Sequence, residues 1–189
     1  MARPPDEAFH AFFETHHAEL ARLAYLVTGE KDAADDLAAD ALLEVWRRWD
    51  RVSAADSPIA YARGVLTNMA RGRIRTLRRE RLGLLRLGLP WLERTGDVDV
   101  PAVIDVRTAL RLLPHRRRAC LVLRYAFDLS EQETARSLGV SVGTVKSQTS
   151  RAVAQLTALL GELPAADAKR WLAPATRAVV PPGRPGTEA

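Results

Sequence analysis

The sequence predicts an all-α protein made of two small helical domains that are joined by a linker. Apolar residues recur every three or four positions from residue 9 to residue 27 and again in later stretches, as in amphipathic helices. Residues 128–155 carry the capping and glycine signals of a helix-turn-helix. Residues 83–101 contain three glycines and two prolines, which indicates a connection between the two helical parts.

These signals divide the chain into four segments. The first domain is predicted over residues 5–82, the linker over 83–103 and the second domain over 104–161. Residues 162–189 are rich in proline and alanine and are predicted to be a partly disordered tail. Residues 84–92 are too apolar for a free tether, so this part of the linker is expected to dock at a place that the sequence does not define.

Three helices are predicted in the first domain. The first covers residues 9–27 and stops at Gly29, and the second covers about residues 32–49. The third begins at Pro58, because proline suits the first turn of a helix. Residues 50–57 form a short polar stretch, which indicates a loop. The apolar side chains of the second helix are expected to face inward: Leu37, Ala41, Leu42, Val45, Trp46 and Trp49.

Charge is distributed unevenly along the first domain. The formal net charge of the chain is +5, yet residues 6–50 hold eleven acidic residues against four basic ones. Residues 62–79 hold six arginines and no acid, and a merely solvated surface usually mixes both signs, so this stretch favours binding to a phosphate backbone. The acids of the second helix have no nearby nucleophile or glycine loop, which indicates an exposed or protein-docking face. Two different partners are therefore implied.

The helix-turn-helix is predicted from local signals. Ser130 and Glu133 form a capping box at the start of its first helix. Gly139 ends that helix, and Ser141 is the expected N-cap of the next. The buried stripe of the second helix is expected to comprise Val142, Val145, Thr149, Ala152, Leu156 and Leu159. Its other face is polar and basic, which is typical of a helix that enters the major groove of DNA.

The helix before this motif begins at Pro114 and carries three consecutive arginines, Arg116, Arg117 and Arg118, which would suit phosphate if they are exposed. The single cysteine, Cys120, lies in an apolar stretch and is predicted to be a buried structural thiol. The four histidines and this cysteine form no cluster, so neither a metal site nor a cofactor is predicted. No stretch is long and apolar enough for a membrane span or a secretory signal, and a cytoplasmic protein is expected.

Taken together, these motifs resemble an RNA polymerase sigma factor of the extracytoplasmic-function (ECF) class, and most nearly its SigE-like actinobacterial branch. The stretch YLVTGEKDAADDLAADALLEVWRRW looks like regions 2.1 to 2.2 of that family, and SPIAYARGVLTNMARGRIRTLRR resembles regions 2.3 to 2.4. A later stretch is similar to region 4, and LGVSVGTVKSQTSRA is its most specific part. The resemblance covers residues 9–160.

The resemblance implies a sigma region 2 bundle, a sigma region 4 helix-turn-helix, and a non-enzymatic role in promoter recognition. Its partners would be core RNA polymerase and promoter DNA, with an anti-sigma factor as a further candidate. The residues implied to bind the polymerase are Asp36, Asp40, Glu44 and Arg47. Those implied at the −10 element are Asn68, Arg71, Arg73, Arg75 and Arg78. Those implied at the −35 element are Ser141, Thr144, Lys146, Ser147, Gln148 and Arg151.

Two positions depart from the family pattern. Many ECF factors have an aspartate four residues after the asparagine that matches Asn68, where this chain has Gly72. A tryptophan that commonly follows the helix-starting proline is Tyr61 here. Both departures concern the preferred −10 sequence and not the class of protein. The resemblance also implies that residues 51–57 form one wall of a pocket for a base that leaves the stack.

Two other classes of protein remain as alternatives. A helix-turn-helix regulator that binds duplex DNA without polymerase would share the second domain, but the first domain shows no strand–helix alternation and no aspartate after a buried strand. An enzyme with an appended DNA-binding module would need a nucleophile–base pair, a phosphate loop or a metal cluster, and the sequence shows none of these.

Overall fold

The structure is a computed structural model that describes residues 5–86 and 106–160. Within these ranges the chain forms eight α-helices and no β-strand. The first four are α1 (Pro5–Thr28), α2 (Ala34–Trp46), α3 (Trp49–Ser53) and α4 (Pro58–Arg86). The last four are α5 (Val106–Leu112), α6 (His115–Tyr125), α7 (Glu131–Leu138) and α8 (Val142–Leu160). The predictions for residues 87–103 and for the tail lie outside the described residues.

Helices α1 to α4 form the first unit around one apolar core. Leu20, Leu23 and Val27 of α1 are fully buried against Leu42 of α2 and Leu66 of α4. Since a fully buried leucine or valine contributes about 1.5–3 kcal/mol, this core is the main stabilising element of the unit. Helix α4 continues to Arg86, a few residues beyond the predicted start of the linker.

Gly29 ends α1 as the sequence predicted. Its φ of +79° lies in the left-handed region, and its N–H donates to the carbonyl of Tyr25 at 2.7 Å. The Cβ of any other residue here would lie 2.3 Å from the Arg111 side chain of α5. Glycine is therefore required both by the backbone turn and by the close approach of α5.

Two predictions in this unit are wrong. Residues 50–57 were predicted to be a loop, but α3 forms at their start because Trp49 and Val52, three residues apart, both face the core. Trp46 was predicted to face inward, yet 37% of it is exposed. It is the last residue of α2, where its ring packs only on the rim, 4.7 Å from the ring of Phe9 between centroids.

Helices α5 to α8 form the second unit. Its own core joins Leu110 and Leu113 to Leu121 of α6 and Ala152 of α8. Cys120 is 2% exposed and free, and burial raises the pKa of its thiol to about 11. The thiol is therefore protonated and unreactive at neutral pH, which confirms the prediction of a structural cysteine.

The two units pack directly against each other. Val122, Leu123 and Leu129 of the second unit belong to the apolar core of the first. Where α7 crosses α4, a Cβ on Gly64 would lie 2.5 Å from the carbonyl oxygen of Ser137, so the two backbones meet without an intervening side chain. The contact between the units is thus part of the fold's buried interior.

Arg118 also joins the units, and the condition of exposure under which it would suit phosphate is not met. Only 4% of the residue is exposed, and its guanidinium donates to the carbonyl of Val27 at 2.6 Å. It also donates to the carbonyls of Arg111 at 2.6 Å and Leu113 at 3.1 Å. These acceptors lie at the carboxyl-terminal ends of α1 and α5, where helix dipoles favour a cation. Burial, and then the nearby Arg111, lower the pKa of Arg118 to about 10, which leaves it charged at neutral pH.

Candidate nucleic-acid interface

Helix α7 and the turn that follows it have the predicted capping geometry. The Ser130 hydroxyl accepts from the Glu133 N–H at 3.1 Å, and the Glu133 carboxylate accepts from the Ser130 N–H at 2.7 Å. These hydrogen bonds lower the pKa of the Glu133 carboxyl. Gly139 has a φ of +63°, so α7 ends in the left-handed conformation that glycine tolerates best. The capping box and the glycine stop are both confirmed.

Helix α8 begins at the predicted cap. The Ser141 hydroxyl accepts from the N–H of Thr144 at 3.1 Å and bonds to the Thr144 hydroxyl at 2.9 Å. The Ser147 hydroxyl donates to the Thr144 carbonyl at 3.0 Å. Val145 and Ala152 are fully buried, so the opposite side of α8 faces outward. The hydroxyls of Ser141 and Ser147 are thus partly engaged within the helix.

The outward side chains of α8 differ in their availability. Lys146 is exposed, but its ammonium lies 3.5 Å from the Glu131 carboxylate of α7. That pairing was not foreseen, because Glu131 lies on the neighbouring helix and far from Lys146 in the sequence. Arg151 is exposed, and no residue in the described ranges forms an ion pair with it. Gln148 is half-buried and lines a cavity between the units. Arg151 is therefore the most available cation on this face.

Helix α4 carries the predicted basic surface, which we call the α4 arginine face: Arg71, Arg75 and Arg78. All three are exposed, and within the described part of the chain none is ion-paired. Asn68, one turn before Arg71, is also exposed. Such a face can bind the phosphates of a nucleic-acid backbone, because each unpaired guanidinium is free to exchange its solvent ions for a phosphate.

The first unit supplies acids to two other arginines of α4. The Arg73 guanidinium lies 3.0 Å from the Glu30 carboxylate, and Arg63 makes two hydrogen bonds with Glu19 at 2.8 and 2.6 Å. Only 13% of the Arg63 side chain is exposed. The ion pair between Arg63 and Glu19 is therefore a structural part of the contact between α1 and α4. Residues 62–79 contain no acid, yet two of their arginines have an acidic partner from another part of the chain.

A second surface lies on α2. Asp36 and Asp40 are exposed and four residues apart, so they share one side of the helix. Glu44 is ion-paired with Arg47 at 3.2 Å and with Arg48 at 2.7 Å. Arg48 also donates to the Tyr61 hydroxyl of α4 at 3.0 Å. This hydrogen bond is the main cause that raises the pKa of the Arg48 guanidinium, and the negative charge of Glu44 is the second. The predicted polymerase-binding residues are thus divided between free acids and an ion-paired cluster.

Sequence reasoning missed the apolar part of this α2 surface. Leu43 is 47% exposed, and it follows Asp40 and precedes Glu44 on the same helix as the partly exposed Trp46. Aromatic and aliphatic side chains of this size are usual anchors in protein–protein contacts. The signal was present, since Leu43 falls outside the helical period of Leu42 and Val45.

The cavity between the units has a volume of about 190 Å³. Asn68 and Arg71 of α4 line one side, and Thr144 and Gln148 of α8 line another. His115 of α6 completes it. Burial is the main reason that the pKa of His115 falls to about 4, with further contributions from the positive charges of Arg118, Arg71 and Arg116.

The lowered pKa of His115 predicts an acid-sensitive fold. In the unfolded chain His115 binds a proton near pH 6.5, but in the folded protein it does so only near pH 4. Its neutral form therefore contributes fully to the free energy of unfolding above pH 6.5, and this contribution is lost as the pH falls toward 4. Between pH 7 and pH 5 we expect this group to remove about 2 kcal/mol from the free energy of unfolding. Urea denaturation of the parent and of His115→Gln at both pH values measures the difference.

The matched control for this prediction is His10→Gln, because His10 is exposed on α1 and pairs only with Glu14. In His10→Gln, the free energy of unfolding should change between pH 7 and pH 5 as it does in the parent. In His115→Gln, that change should be smaller by about 2 kcal/mol. An unchanged pH dependence in His115→Gln would show that another group causes the acid sensitivity.

Two further observations concern the described residues as a whole. Across residues 5–86 and 106–160, no three His, Cys, Asp or Glu side chains lie together as metal ligands would. None of the helices in those ranges has the length and apolar character needed to cross a membrane.

The helix-turn-helix and the α4 arginine face are features of a DNA-binding transcription factor, and the acidic α2 surface lies apart from them. Comparison with known families specifies the class. The family model for sigma-70 region 2 matches residues 12–80, and the model for sigma-70 region 4 matches residues 104–156.

Relatives of known name agree with these matches. The chain is 35% identical to the ECF RNA polymerase sigma factor SigM of Mycobacterium tuberculosis over 82% of this chain and 79% of that protein. It is 30% identical to the RNA polymerase sigma-E factor of Streptomyces coelicolor over 78% and 83% of the two chains. The chain belongs to the ECF family of RNA polymerase sigma factors, as its resemblance predicted.

Solved structures share the fold. The sigma factor RpoE of Bartonella quintana, solved in complex with the anti-sigma factor NepR, aligns with a TM-score of 0.62 at 23% identity over 81% of this chain and 96% of that one. CnrH, solved in complex with the cytosolic domain of CnrY, aligns with a TM-score of 0.59 at 26% identity over 82% and 88%. The prediction of an all-α fold with two sigma domains is confirmed.

Proposed function

We propose that this sigma factor binds core RNA polymerase through α2 and places α4 and α8 on the two elements of a promoter. The observation that supports this division most directly is the separation of charge. Free acids lie on α2, while α4 and α8 both carry unpaired arginines. An acidic surface repels DNA and suits a basic protein partner, and an arginine face suits phosphate.

On α4, the proposed −10 contacts are Asn68 and the α4 arginine face. Arg71, Arg75 and Arg78 would hold the backbone, and Asn68 would contact a base exposed by local melting. Arg73 can join them only by leaving Glu30. Separating a base from its stack costs a few kcal/mol, which the protein must offset with a pocket and with backbone contacts. Residues 51–57 are the candidate wall of that pocket.

On α8, the proposed −35 contacts divide into base and backbone contacts. Gln148 has the two-pronged amide that pairs with adenine in the major groove, and Arg151 has the fork that pairs with guanine. Thr144 and Lys146 lie nearer the start of the helix, where helix-turn-helix proteins approach bases and phosphates. Ser141 keeps its cap hydrogen bond, Ser147 keeps its hydrogen bond to the Thr144 carbonyl, and both hydroxyls would add contacts through their remaining lone pairs.

The factor itself is proposed to perform no catalysis, because its role is to position the polymerase and stabilise open DNA. It would act where the polymerase acts, in the cytoplasm. CnrH was solved with the cytosolic domain of CnrY, and this supports a regulatory protein partner for the present chain as well. Such a partner would be an anti-sigma factor.

Run-off transcription tests this proposal. Purified protein is mixed with core polymerase and genomic fragments, and discrete transcripts are expected only when both proteins are present. A helix-turn-helix regulator, the second candidate, would instead bind one duplex sequence tightly without polymerase. Specific duplex binding that is unaffected by polymerase, together with no transcripts, would favour that alternative.

Arg151→Ala tests the assignment on α8. We expect it to weaken recognition of the upstream element by about 1–3 kcal/mol, because a two-pronged contact between arginine and guanine is worth that much. Holoenzyme binding to promoter fragments with native and scrambled upstream elements measures the loss. Arg136→Ala, an exposed arginine on α7, is the control and should change neither affinity. An equal loss on both fragments would make Arg151 a phosphate contact.

A further inference from the structure

The described residues that line the cavity between the two units include cations and neutral donors but no acid. Arg71 of α4 and Arg116 of α6 supply two guanidiniums, and Asn68 and Gln148 supply two side-chain amides. Thr144 adds a hydroxyl. Both arginines are exposed, and neither forms an ion pair within residues 5–86 and 106–160. A positive lining of this kind favours an anionic ligand.

His115 supplies a second, independent sign of an anion site. Both of its ring nitrogens are buried, and neither has a hydrogen-bond partner among the described residues. Buried polar atoms of native proteins nearly always have a partner. The positive charges of Arg118, Arg71 and Arg116 disfavour a proton on the ring, and the Thr67 backbone opposes them in part. An anion in the cavity would give the ring an acceptor and would offset the positive charge around it.

Helix α6 begins at the same cavity, with His115 and Arg116 in its lining. The N-cap of this helix, Pro114, makes no side-chain hydrogen bond, and the first turn holds no acid. The first N–H groups of a helix carry partial positive charge, so this end of α6 adds to the charge of the two arginines. The sequence indicated that Arg116 would suit phosphate if exposed, and the structure meets that condition.

The size of the cavity and the nature of its donors indicate one phosphate group. A volume of about 190 Å³ is several times the share of one water, about 30 Å³, and is below the 300 Å³ or so at which pockets for drug-sized ligands begin. A phosphate monoester carries about −1.5 to −2 charges at pH 7 and three strong acceptor oxygens. It can therefore accept from guanidiniums on two helices at once, which a carboxylate with two oxygens does less well.

We propose that this cavity binds a phosphate group between Arg71 and Arg116, with His115 as a third contact, and that the group belongs to inorganic phosphate or to a small nucleotide. Binding itself needs neither DNA nor polymerase. Its consequence rests on the proposed function, which assigns Arg71 to the −10 backbone. A bound phosphate would occupy that guanidinium and so compete with assembly on the promoter.

Titration of the free protein with inorganic phosphate tests the site. Isothermal titration calorimetry, with chloride replacing phosphate at constant ionic strength, should show saturable binding of one phosphate per chain. The ring signals of His115 in NMR spectra, identified by their loss in His115→Gln, give a second readout. A bound anion favours the imidazolium, so phosphate should raise the pKa of His115 from its value of about 4.

Two variants of adjacent residues separate the site from general charge. Arg116→Gln should weaken phosphate binding by about 10- to 100-fold, which corresponds to the loss of one hydrogen bond between charged groups. Arg117→Gln removes the same charge from the next residue, which bonds to Gln155 and does not line the cavity. Its affinity for phosphate should equal that of the parent.

A titration with adenosine 5′-monophosphate distinguishes the two sources of the group. Tighter binding than that of inorganic phosphate would assign the cavity to a nucleotide whose base and sugar lie outside it. Equal or weaker binding would assign the cavity to inorganic phosphate. At constant ionic strength, the better of the two ligands should reduce the fraction of the parent that assembles with polymerase on a promoter fragment. Arg116→Gln should need about ten times more of it for the same reduction.

The inference is overturned if chloride of equal ionic strength gives the same heats and the same His115 signals as phosphate. It is also overturned if Arg116→Gln and Arg117→Gln lose affinity for phosphate equally, because the effect would then be one of net charge. If no transcripts form in the run-off assay, the proposed function fails, and calorimetry on the free protein still decides whether the phosphate site exists.

Discussion

Arg118→Met is expected to lower the free energy of unfolding by about 3–5 kcal/mol. The guanidinium of Arg118 is buried and satisfies the carbonyls of Val27, Arg111 and Leu113. Methionine fills a similar volume but donates no hydrogen bond, so three carbonyls would lose a charged donor. A hydrogen bond to a charged group is worth about 1.5–3 kcal/mol, and partial access of water reduces the sum. Urea denaturation monitored by circular dichroism measures the change.

The neighbouring residue supplies the control for this prediction. Arg117 makes one hydrogen bond, to the Gln155 side chain at 2.9 Å, and is only half-buried. Arg117→Met should therefore cost about 1 kcal/mol or less. Equal losses for the two variants would mean that the buried hydrogen bonds of Arg118 contribute little to the free energy of unfolding.

Reversing the charge of Asp36 and Asp40 together is expected to weaken assembly with core polymerase by about 10- to 100-fold. The two exposed carboxylates lie on one side of α2, and placing lysines there opposes a basic partner surface. Asp36 lies in the first turn of α2, where an acid also favours the helix dipole. Thermal unfolding of the double variant therefore has to be measured beside its polymerase affinity, for example by fluorescence anisotropy.

A double variant elsewhere on the surface controls for net charge. Glu14→Lys with Asp56→Lys produces the same change in charge at exposed sites outside α2. Polymerase affinity should stay near that of the parent. Unchanged affinity in the Asp36 and Asp40 variant would remove α2 as the polymerase-binding surface. If both double variants lose affinity equally, the interaction depends on overall charge.

Local signals in the sequence were sufficient for most of the helix-turn-helix. The capping box of Ser130 and Glu133 and the turn at Gly139 each depend on residues within four positions of one another. The buried positions Val145 and Ala152 follow from the helical period alone. Features of this kind can be predicted because no distant part of the chain is needed to form them.

Contacts between distant helices could not be predicted in the same way. The pairs Arg73–Glu30 and Lys146–Glu131 depend on which helices become neighbours, and charge counts along the chain do not contain that information. The burial of Arg118 left a partial signal. Successive residues of a helix point about 100° apart, so three consecutive arginines span about 200° of its circumference and an outermost one can reach the packed side. The sequence did not show which of the three would be buried.

The ion pair between Arg73 and Glu30 has a consequence for the ionic-strength dependence of DNA binding. A cation that neutralises a phosphate releases condensed counterions, and each such contact steepens the dependence of affinity on salt by about 0.9 in logarithmic units. Arg73 would instead exchange one carboxylate for a phosphate, and Glu30 would recruit a cation from solution in its place. Helix α4 should therefore respond to salt less steeply than its number of arginines suggests.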